Sequence, residues 1–574
     1  MPIHNTEIAA ILGEVANLLD IKGANEFRVR AYRNAERTVK DMSGSIAKRL
    51  EAGEDLSDYP GIGSGIAEKI AEIVKTGHLR QLDELRQAVP PELLEVMELE
   101  DLGPRRAKQL YDKLGISTID ELEQAAQQNR VREVEGFGAK TEQKILAQIA
   151  KRREQPVERR LLLPEAEEIA ESYLRYLRDS GEVERIEVAG SYRRRKETVG
   201  DLDILAICKS GSQIMDRFTS YEDVDRVVSR GETRSTVMLT SGTQVDLRVL
   251  EERSYGSALL YFTGCKAHNI ALRRIAQDMG YKISEYGVFE GQKQVAGESE
   301  QELYGVLEMA WVEPELREDR GEVEAARKGR LPQLLQTDDL RGDLHSHTSA
   351  SDGSASLKQM AAAAQELGYD YLAVTDHSRG LPVAHGLDES ALERQIEEID
   401  QLNEQFDRFR LLKSCEVDIH EDGSLDLSDE LLRRLDLVVC SVHSRFNIGR
   451  QKMTERIIRA MDNRYTTILA HPTGRRIGVR DAYEVDVEKL MDAAAERGCF
   501  LEINAQPERL DLNDTCIRAA REIGVKLSIS TDAHSPQNLN YIRYGVQQAR
   551  RGWLEKDNVI NTRSRTELLK LCKR

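Results

Sequence analysis

No apolar run in this 574-residue sequence approaches the ~18 residues that a membrane-spanning helix needs, so no segment is expected to enter a bilayer. The N-terminal MPIHNTEIAAILGEVANLLD carries acidic residues and no basic stretch ahead of an apolar core, so it does not read as a signal peptide. Cysteine is sparse. The seven residues (Cys208, Cys265, Cys415, Cys440, Cys499, Cys516, Cys572) are odd in number and scattered, which fits reduced thiols in the cytoplasm and not a disulfide framework. Positive charge is also short: the net charge of −18 argues against a general nucleic-acid coat, although local basic patches such as Arg193-Arg194-Arg195-Lys196 exist. What is present, 40% apolar and 32% charged residues, suits a globular chain long enough for several domains.

Residues 1 to about 155 read as short helices separated by glycine-bearing turns, with a break at Gln155-Pro156. Tyr59-Pro-Gly-Ile-Gly-Ser64, Leu102-Gly-Pro-Arg105 and Glu135-Gly-Phe-Gly-Ala139 each precede a helical pattern. Glycine permits close approach, and the helix start behind it presents free N–H groups, so such a turn can seat a phosphate. The three turns resemble helix-hairpin-helix motifs, which hold the DNA backbone without reading sequence. Gly61, Gly63, Gly103, Gly136 and Gly138 are the expected DNA contacts.

From about 160 to 315 helical patterns alternate with strand-like runs, a mixed α/β region. In GSYRRRKETVGDLDIL (190–205), Asp201 and Asp203 are two apart at a strand start and face the same way. Two such carboxylates repel unless a cation such as Mg²⁺ lies between them. Asp246, in Gln244-Val-Asp-Leu-Arg248, is a candidate third ligand from a neighbouring strand. Three carboxylates around two ions suit in-line phosphoryl transfer. Gly190, Ser191 and Arg194 offer backbone donors, a hydroxyl and a guanidinium to a triphosphate. G-S followed closely by D-x-D is a nucleotidyltransferase signature.

On these motifs residues 1–315 resemble a family X DNA polymerase, the gap-filling repair class. The resemblance implies that Asp201, Asp203 and Asp246 hold Mg²⁺ or Mn²⁺, with Asp246 as general base for the primer 3′-hydroxyl. It adds Gly200 to the triphosphate contacts. In Tyr261-Phe-Thr-Gly-Cys-Lys-Ala-His-Asn269 it implies that Tyr261 and Phe262 crowd a ribose 2′-hydroxyl, Gly264 lies against the sugar and Asn269 faces the nascent pair. Arg273 would touch the template. Gln244 stands where some members carry Arg, and Lys266 where some carry an acid. Lys69 matches a Schiff-base lyase lysine of some members, but Gly65 replaces a basic neighbour; Arg28, Arg30 and Arg33 are candidate 5′-phosphate contacts.

Histidine is rare, 11 in all, yet eight lie after residue 340. There, strand-like and helical runs alternate, which suggests a parallel sheet closed into a barrel. His345, His347, His377, Glu416, His443, His471, Asp532 and His534 fall mostly at strand ends and, with Asp352, form a nine-residue candidate ligand set; His385 and His420 read as surface residues. This pattern is similar to the PHP (polymerase and histidinol phosphatase) domain. The resemblance implies a distorted (β/α)7 barrel with up to three ions of Mn²⁺, Zn²⁺ or Fe. It groups His345, His347, Glu416 and Asp532 on one, Glu416, His443 and His471 on the second, and Asp352, His377 and His534 on the third.

The expected organisation is a helical lyase-like domain (1–85), a helix-hairpin-helix region (86–158), a nucleotidyltransferase palm (159–252), a nucleotide-selecting subdomain (253–315), a linker (316–340) and a PHP hydrolase domain (341–574). The expected activity is filling of short DNA gaps with dNTPs, joined to a 3′–5′ exonuclease that can extend to abasic-site nicking or 3′-phosphate removal. The expected partner is gapped or primer-template DNA, with no membrane and a monomeric state. Two other readings fit parts of the pattern: a nucleotidyltransferase on a non-DNA acceptor fused to a small-molecule phosphatase, and a polymerase with a purely structural PHP domain.

Overall fold

A computed structural model of the protein describes residues 5–41, 46–59, 61–90, 93–97, 99, 102–154, 160–381 and 384–573. The chain divides into two compact units, Met1–Arg159 and Arg160–Arg574. The break at Gln155-Pro156 and Pro60 of the first glycine turn lie outside the described residues.

Among the described residues of the first unit, every regular element is helical. Helix Ser64–Thr76 buries Ile66, Ile70 and Ile73, the i, i+4, i+7 stripe that turns an amphipathic helix onto a core. Gly63 and Gly103 cap helices Ser64–Thr76 and Pro104–Leu114, and the Gly138 carbonyl accepts from Glu142 N at the start of helix Ala139–Glu154. Gly61 and Gly136, two residues before Gly63 and Gly138, have φ of 90° and 85°, a region L side chains rarely adopt.

The second unit begins with a five-stranded sheet: β1 (Val183–Val188), β2 (Asp201–Cys208), β3 (Val224–Arg230), β4 (Arg234–Leu239) and β5 (Gln244–Val249), in the order β1-β2-β5-β4-β3. Only the central β2–β5 pair is parallel. Alternation along β2 sends Leu202, Ile204 and Ala206 into a core with helices Leu163–Arg178 and Gly211–Thr219. Leu205 points the other way, toward Tyr255, Ala258 and Leu259 of helix Tyr255–Thr263. Asp203 shares that second face. Helix Lys266–Asp278, a small antiparallel sheet (282–296) and helix Glu300–Val306 follow.

The stretch 316–340, expected as a linker, is not a free tether. It buries Leu316, Arg317, Glu322, Ala326, Leu334 and Leu335. Its polar composition misleads because its buried charges are paired. Arg317 forks onto Glu300 at 3.0 Å and shorter, and Glu322 meets His268 Nδ1 at 2.6 Å. Burial opposes ionisation of Glu300, yet Arg317 and Arg193 hold it down at about 2.

Beyond it lie β6 (Gly342–Asp343), β7 (Tyr371–Val374), β8 (Arg410–Lys413), β9 (Glu416–Asp418), β10 (Val439–Ser441), β11 (Ile468–Leu469), β12 (Phe500–Asn504) and β13 (Leu527–Ser530), paired in parallel as sheets of three and five strands. β8 and β9 are one run interrupted at Ser414-Cys415. Parallel bridges link the two sheets, His377 beyond the central β7 to Glu416 of β9 and Ser346 beyond β6 to Ala533 beyond β13. Every residue of β7 and β10–β13 is buried, as parallel strands covered on both faces require, including the polar Ser441, Glu502, Asn504, Ser528 and Ser530.

This C-terminal part is joined tightly to the palm. Leu510 and Tyr544 belong to the palm core cluster, and Arg475 pairs with Glu197 at 2.7 Å. Tyr544 OH donates to Glu167 at 2.8 Å, and Arg543 lies 3.1 Å from the same carboxylate.

Candidate functional site

Asp203 and Asp246 are register partners across the parallel β2–β5 pair, and Gln244 is opposite Asp201. The three acids expected at one site therefore share one sheet face. Burial first, then Asp201 and Asp246, push Asp203 up to about 6, against Arg248 and Arg234. A group of acids this unfavourable without a cation is a fit for divalent ions. Asp246 is held from three directions: Thr236 Oγ1 and Arg234 Nη2 (3.3 Å) donate to Oδ1, and Gln244 Nε2 donates to Oδ2 at 2.8 Å. The Gln at 244 thus leaves the carboxylate with a cationic partner, which comes from β4 instead.

Gly190 has φ of 66°, and a Cβ there would stand 3.0 Å from Asp203 Oδ2, so glycine is needed beside the acids. A Cβ on Gly200 would meet Arg160 Nη1 at 2.9 Å. Ser191 lies in the helical turn Gly190–Arg193 that faces the sheet end. Arg194, expected on a triphosphate, is engaged here: Nε donates to Glu318 Oε1 at 3.0 Å and Nη1 to the Thr263 carbonyl at 2.8 Å. Asn269 Nδ2 donates to the Tyr261 and Gly264 carbonyls at 2.7 and 3.2 Å and fixes the turn between them. Gly264 is enforced by Asn269 Oδ1, 2.8 Å from where its Cβ would be. Tyr261 and Phe262 meet edge to face, with Arg273 over the first ring and Arg248 over the second. A cavity of about 420 Å³ lined by Arg234, Arg248, Phe262 and Tyr286 opens beside them.

In the C-terminal part all nine expected ligands converge. Glu416 divides its oxygens: Oε2 lies 3.3 Å from His345 Nε2, 3.5 Å from His347 Nε2 and 3.0 Å from His377 Nδ1, while Oε1 lies 3.3 Å from His443 Nε2 and 3.0 Å from His471 Nε2. Asp532 Oδ1 is 3.6 Å from His345 and 3.1 Å from His347. Asp352 Oδ2 is 3.4 Å from His377 and 3.3 Å from His534. The cluster lies at one end of the parallel strands, since His377, His443, His471, Asp532 and His534 follow the C-terminal ends of β7, β10, β11 and β13, and its side chains form groups that could hold a metal ion. His345 and His347 lie just past β6, flanking bridged Ser346, rather than within a strand.

Cations fit this cluster on its own chemistry. Buried ring nitrogens of His345 (Nε2), His347 (both), His377 (Nδ1) and His471 (Nδ1) lack hydrogen-bond partners, a state that costs about 1–3 kcal/mol per group. Burial, reinforced by His377 and His534, pushes His347 down to about 4, so its imidazole is a neutral donor at neutral pH. Burial opposes protonation of His443 and His534, yet Glu416 and Asp352 raise them to about 9. Glu416 and Asp532 are held well below the carboxylate range by the surrounding histidines, against burial.

Known families and proteins match the chain along its length. Family models match residues 3–79 (Helix-hairpin-helix domain), 92–151 (SAM-like Helix-hairpin-helix tandem), 160–253 (DNA polymerase beta palm), 258–318 (DNA polymerase beta thumb) and 343–506 (PHP domain). The chain is 36% identical over 576 residues, all of both chains, to the "DNA polymerase/3'-5' exonuclease PolX" of Bacillus subtilis (strain 168). The chain belongs to the family X DNA polymerases that carry a PHP domain. Over 38% of its length it is also 30% identical to a protein named "Probable phosphatase" from Thermoanaerobacter sp. (strain X514), covering 89% of that protein. A family X polymerase with helix-hairpin-helix and PHP domains implies DNA as substrate and divalent metals as cofactors.

Sequence reasoning missed the residues that orient these groups. Glu502 accepts from His345 Nδ1 and from His471 N, both at 2.7 Å, and Asp418 accepts from His443 Nδ1 at 2.9 Å. Both leave Nε2 free for a metal. Asp376, buried, accepts from Thr348, Ser351 and Gln395 and holds the loop that carries Asp352. With 100 acidic residues in the chain, nothing in the sequence marks these three. In the N-terminal unit, Lys69 Nζ donates to the Gly65 carbonyl at 3.1 Å, and Arg33 pairs with Asp20 at 2.9 Å. Among the described residues no helix is long and apolar enough to cross a membrane.

Proposed function

We propose that the chain fills short gaps in DNA by template-directed addition of dNTPs in the palm and trims 3′ ends at the PHP centre, in the cytoplasm and as a monomer. The observation that carries the reading is the pair of separate acid and histidine clusters on one chain of the family X plan. Asp201, Asp203 and Asp246 would hold Mg²⁺ or Mn²⁺. His345, His347, Asp352, His377, Glu416, His443, His471, Asp532 and His534 would hold up to three ions of Mn²⁺, Zn²⁺ or Fe. Bound there, such ions neutralise phosphate oxygens and lower the pKa of coordinated water or hydroxyl groups.

The chain's own residues would do the rest. Asp246 would accept the primer 3′-hydroxyl proton at Oδ2, the less engaged oxygen: Oδ1 accepts from both Thr236 and Arg234, Oδ2 from Gln244 alone. Gly190, Ser191, Gly200 and Arg194 would seat the triphosphate, the last after leaving Glu318. Tyr261, Phe262 and Gly264 would exclude a 2′-hydroxyl, and Asn269 and Arg273 would face the nascent pair and template. Gly61, Gly63, Gly103, Gly136 and Gly138 would approach DNA phosphates. A Cβ at Gly63, Gly103 or Gly138 would meet no protein atom within 4 Å, so internal packing does not demand glycine there, which supports close approach by an external partner; Gly136 is required by its φ of 85° alone. Lys69 is held as a lyase candidate on its position alone. Hydrolysis at the PHP centre is proposed to include 3′-phosphates, on the likeness to the phosphatase.

The test is separation of function on a one-nucleotide gap and on a 3′-labelled duplex. His345→Ala is expected to abolish 3′ trimming and spare extension, and Asp203→Ala to do the reverse. A soluble His345→Ala protein that trims at the full rate would refute the PHP assignment.

A further inference from the structure

The buried contact between palm and PHP parts contains a charge relay that reaches the nucleotide site. Arg551 ends helix Ile542–Arg551 of the PHP part, and its side chain is only 2% exposed. Its guanidinium donates to the main-chain carbonyl of Arg194 at 2.7 Å, to Glu318 Oε1 at 3.2 Å and to Asp514 Oδ2. The same Glu318 oxygen accepts from Arg194 Nε at 3.0 Å and lies 3.9 Å from Lys196 Nζ. Asp514 is shared with Arg320 at 3.0 Å. Four cations, Arg194, Lys196, Arg320 and Arg551, therefore divide two carboxylates. Glu318 stays ionised: burial opposes it, but Arg551, Arg194 and Lys196 hold it at about 2.

A guanidinium that must meet a triphosphate is thus parked on a carboxylate whose other main partner comes from the PHP part. We infer that Arg551 is a positioning residue for nucleotide binding in the palm: by occupying Glu318 and gripping the Arg194 carbonyl, it lets the Arg194 guanidinium leave Glu318 for an incoming triphosphate. The inference rests on the reading of Arg194 as a triphosphate contact. Without Arg551, Glu318 has Arg194 as its nearest counter-charge and holds it more firmly, so nucleotide binding weakens while chemistry on bound nucleotide does not.

The experiment is steady-state gap filling by the full chain, reading KM for dNTP against kcat, with 3′–5′ exonuclease rate and thermal midpoint alongside. Arg551→Ala is expected to raise the dNTP KM about tenfold at nearly constant kcat and an unchanged exonuclease rate. Arg551→Lys, which retains charge but cannot fork across three acceptors, is expected to give a smaller rise and covers the case in which the alanine variant folds poorly. Adding Glu318→Gln to Arg551→Ala is expected to return KM close to wild type. Arg550, the preceding residue, binds Glu315 and the Leu335 carbonyl instead, so Arg550→Ala removes one positive charge from the same helix without touching the relay and should leave KM unchanged. A KM rise equal for Arg550→Ala and Arg551→Ala, or no recovery with Glu318→Gln, or parallel loss of both activities in the lysine variant, overturns the inference. Arg194→Ala separates the two levels. If it raises KM and the Arg551 variants do not, only the relay is wrong; if it leaves KM unchanged, the triphosphate role of Arg194 falls and the relay with it.

Discussion

Asp203 on β2 stands directly opposite Asp246 on the parallel neighbour β5, and the two carry very different surroundings. Asp246 accepts from Thr236, Arg234 and Gln244, whereas Asp203 is raised to about 6 by burial and by the two other acids. The strained member of the pair is Asp203.

That strain is measurable. The folded pKa of Asp203 lies above its unfolded 3.8, so ionisation costs stability in full above pH 6, and the cost fades as pH falls toward 3.8. Asp203→Asn should raise the thermal midpoint of the metal-free protein at pH 7.5, by up to about 3 kcal/mol of stability, while abolishing nucleotide addition. The gain should shrink at pH 5. A midpoint unmoved at pH 7.5 with EDTA present contradicts the account.

Arg234 supplies the cation that Gln244 does not. Arg234→Ala should lower kcat for gap filling roughly tenfold with little change in exonuclease rate, because the carboxylate of Asp246 loses its charged partner. Introducing Gln244→Arg into that variant should recover part of the loss. Equal falls in both activities would point to a folding defect instead.

Glu502 orients His345 and the backbone of His471 together. Glu502→Gln should weaken metal retention by the PHP centre about 10–100-fold, read by elemental analysis after dialysis against graded chelator, and lower 3′ trimming accordingly. Gap filling should persist.

Glu300 anchors the core beneath the palm through Arg317 and Arg193. Its folded pKa, about 2, is below its unfolded 4.5, so its contribution is complete above pH 4.5 and disappears as pH falls through 2. Glu300→Gln should cost about 3 kcal/mol or more at pH 7, since Arg317 is left buried beside a neutral amide. The gap in urea midpoint between variant and wild type should narrow from pH 5 to pH 3; a constant gap would mean packing and not charge carries the effect.

Gly63 and Gly103 sit at helix starts with open space where a Cβ would be and with φ values of −84° and −53° that other residues adopt. Valine at either position should leave helical content and thermal midpoint within error, yet weaken binding to gapped DNA several-fold in a fluorescence-anisotropy titration. Unchanged affinity in the double variant would remove these turns from the DNA interface.

The legible parts of the sequence were those with a strong local period or a rare residue type. D-x-D on a strand fixes a common face, and Asp246 set between the apolar Val245 and Leu247 marks the neighbouring strand. Histidine is scarce enough that its clustering after residue 340 stands out. Glu502, Asp418, Asp376 and Arg234 were not legible because acids and arginines are common and their partners are chosen by register and tertiary contact. The 316–340 stretch was misread for a related reason: composition registers Arg317 and Glu322 as polar, not that each is buried against a complementary charge. Arg194 looked free in sequence because Glu318 lies 124 residues away.

The ordered passage through 316–340 and the acid–base seam of Glu167, Glu197 and Glu318 with Arg543, Arg475 and Arg551 bear on how such an enzyme can be rebuilt. Grafting a foreign hydrolase after residue 340 would bring Glu167 and Glu197 of the palm, and Glu318 of the passage behind it, against a surface with no matching arginines, and would uncover the apolar patch that Leu510 and Tyr544 now fill. A working chimera must therefore transplant the seam along with the catalytic module, so the two halves are exchangeable only as a matched set.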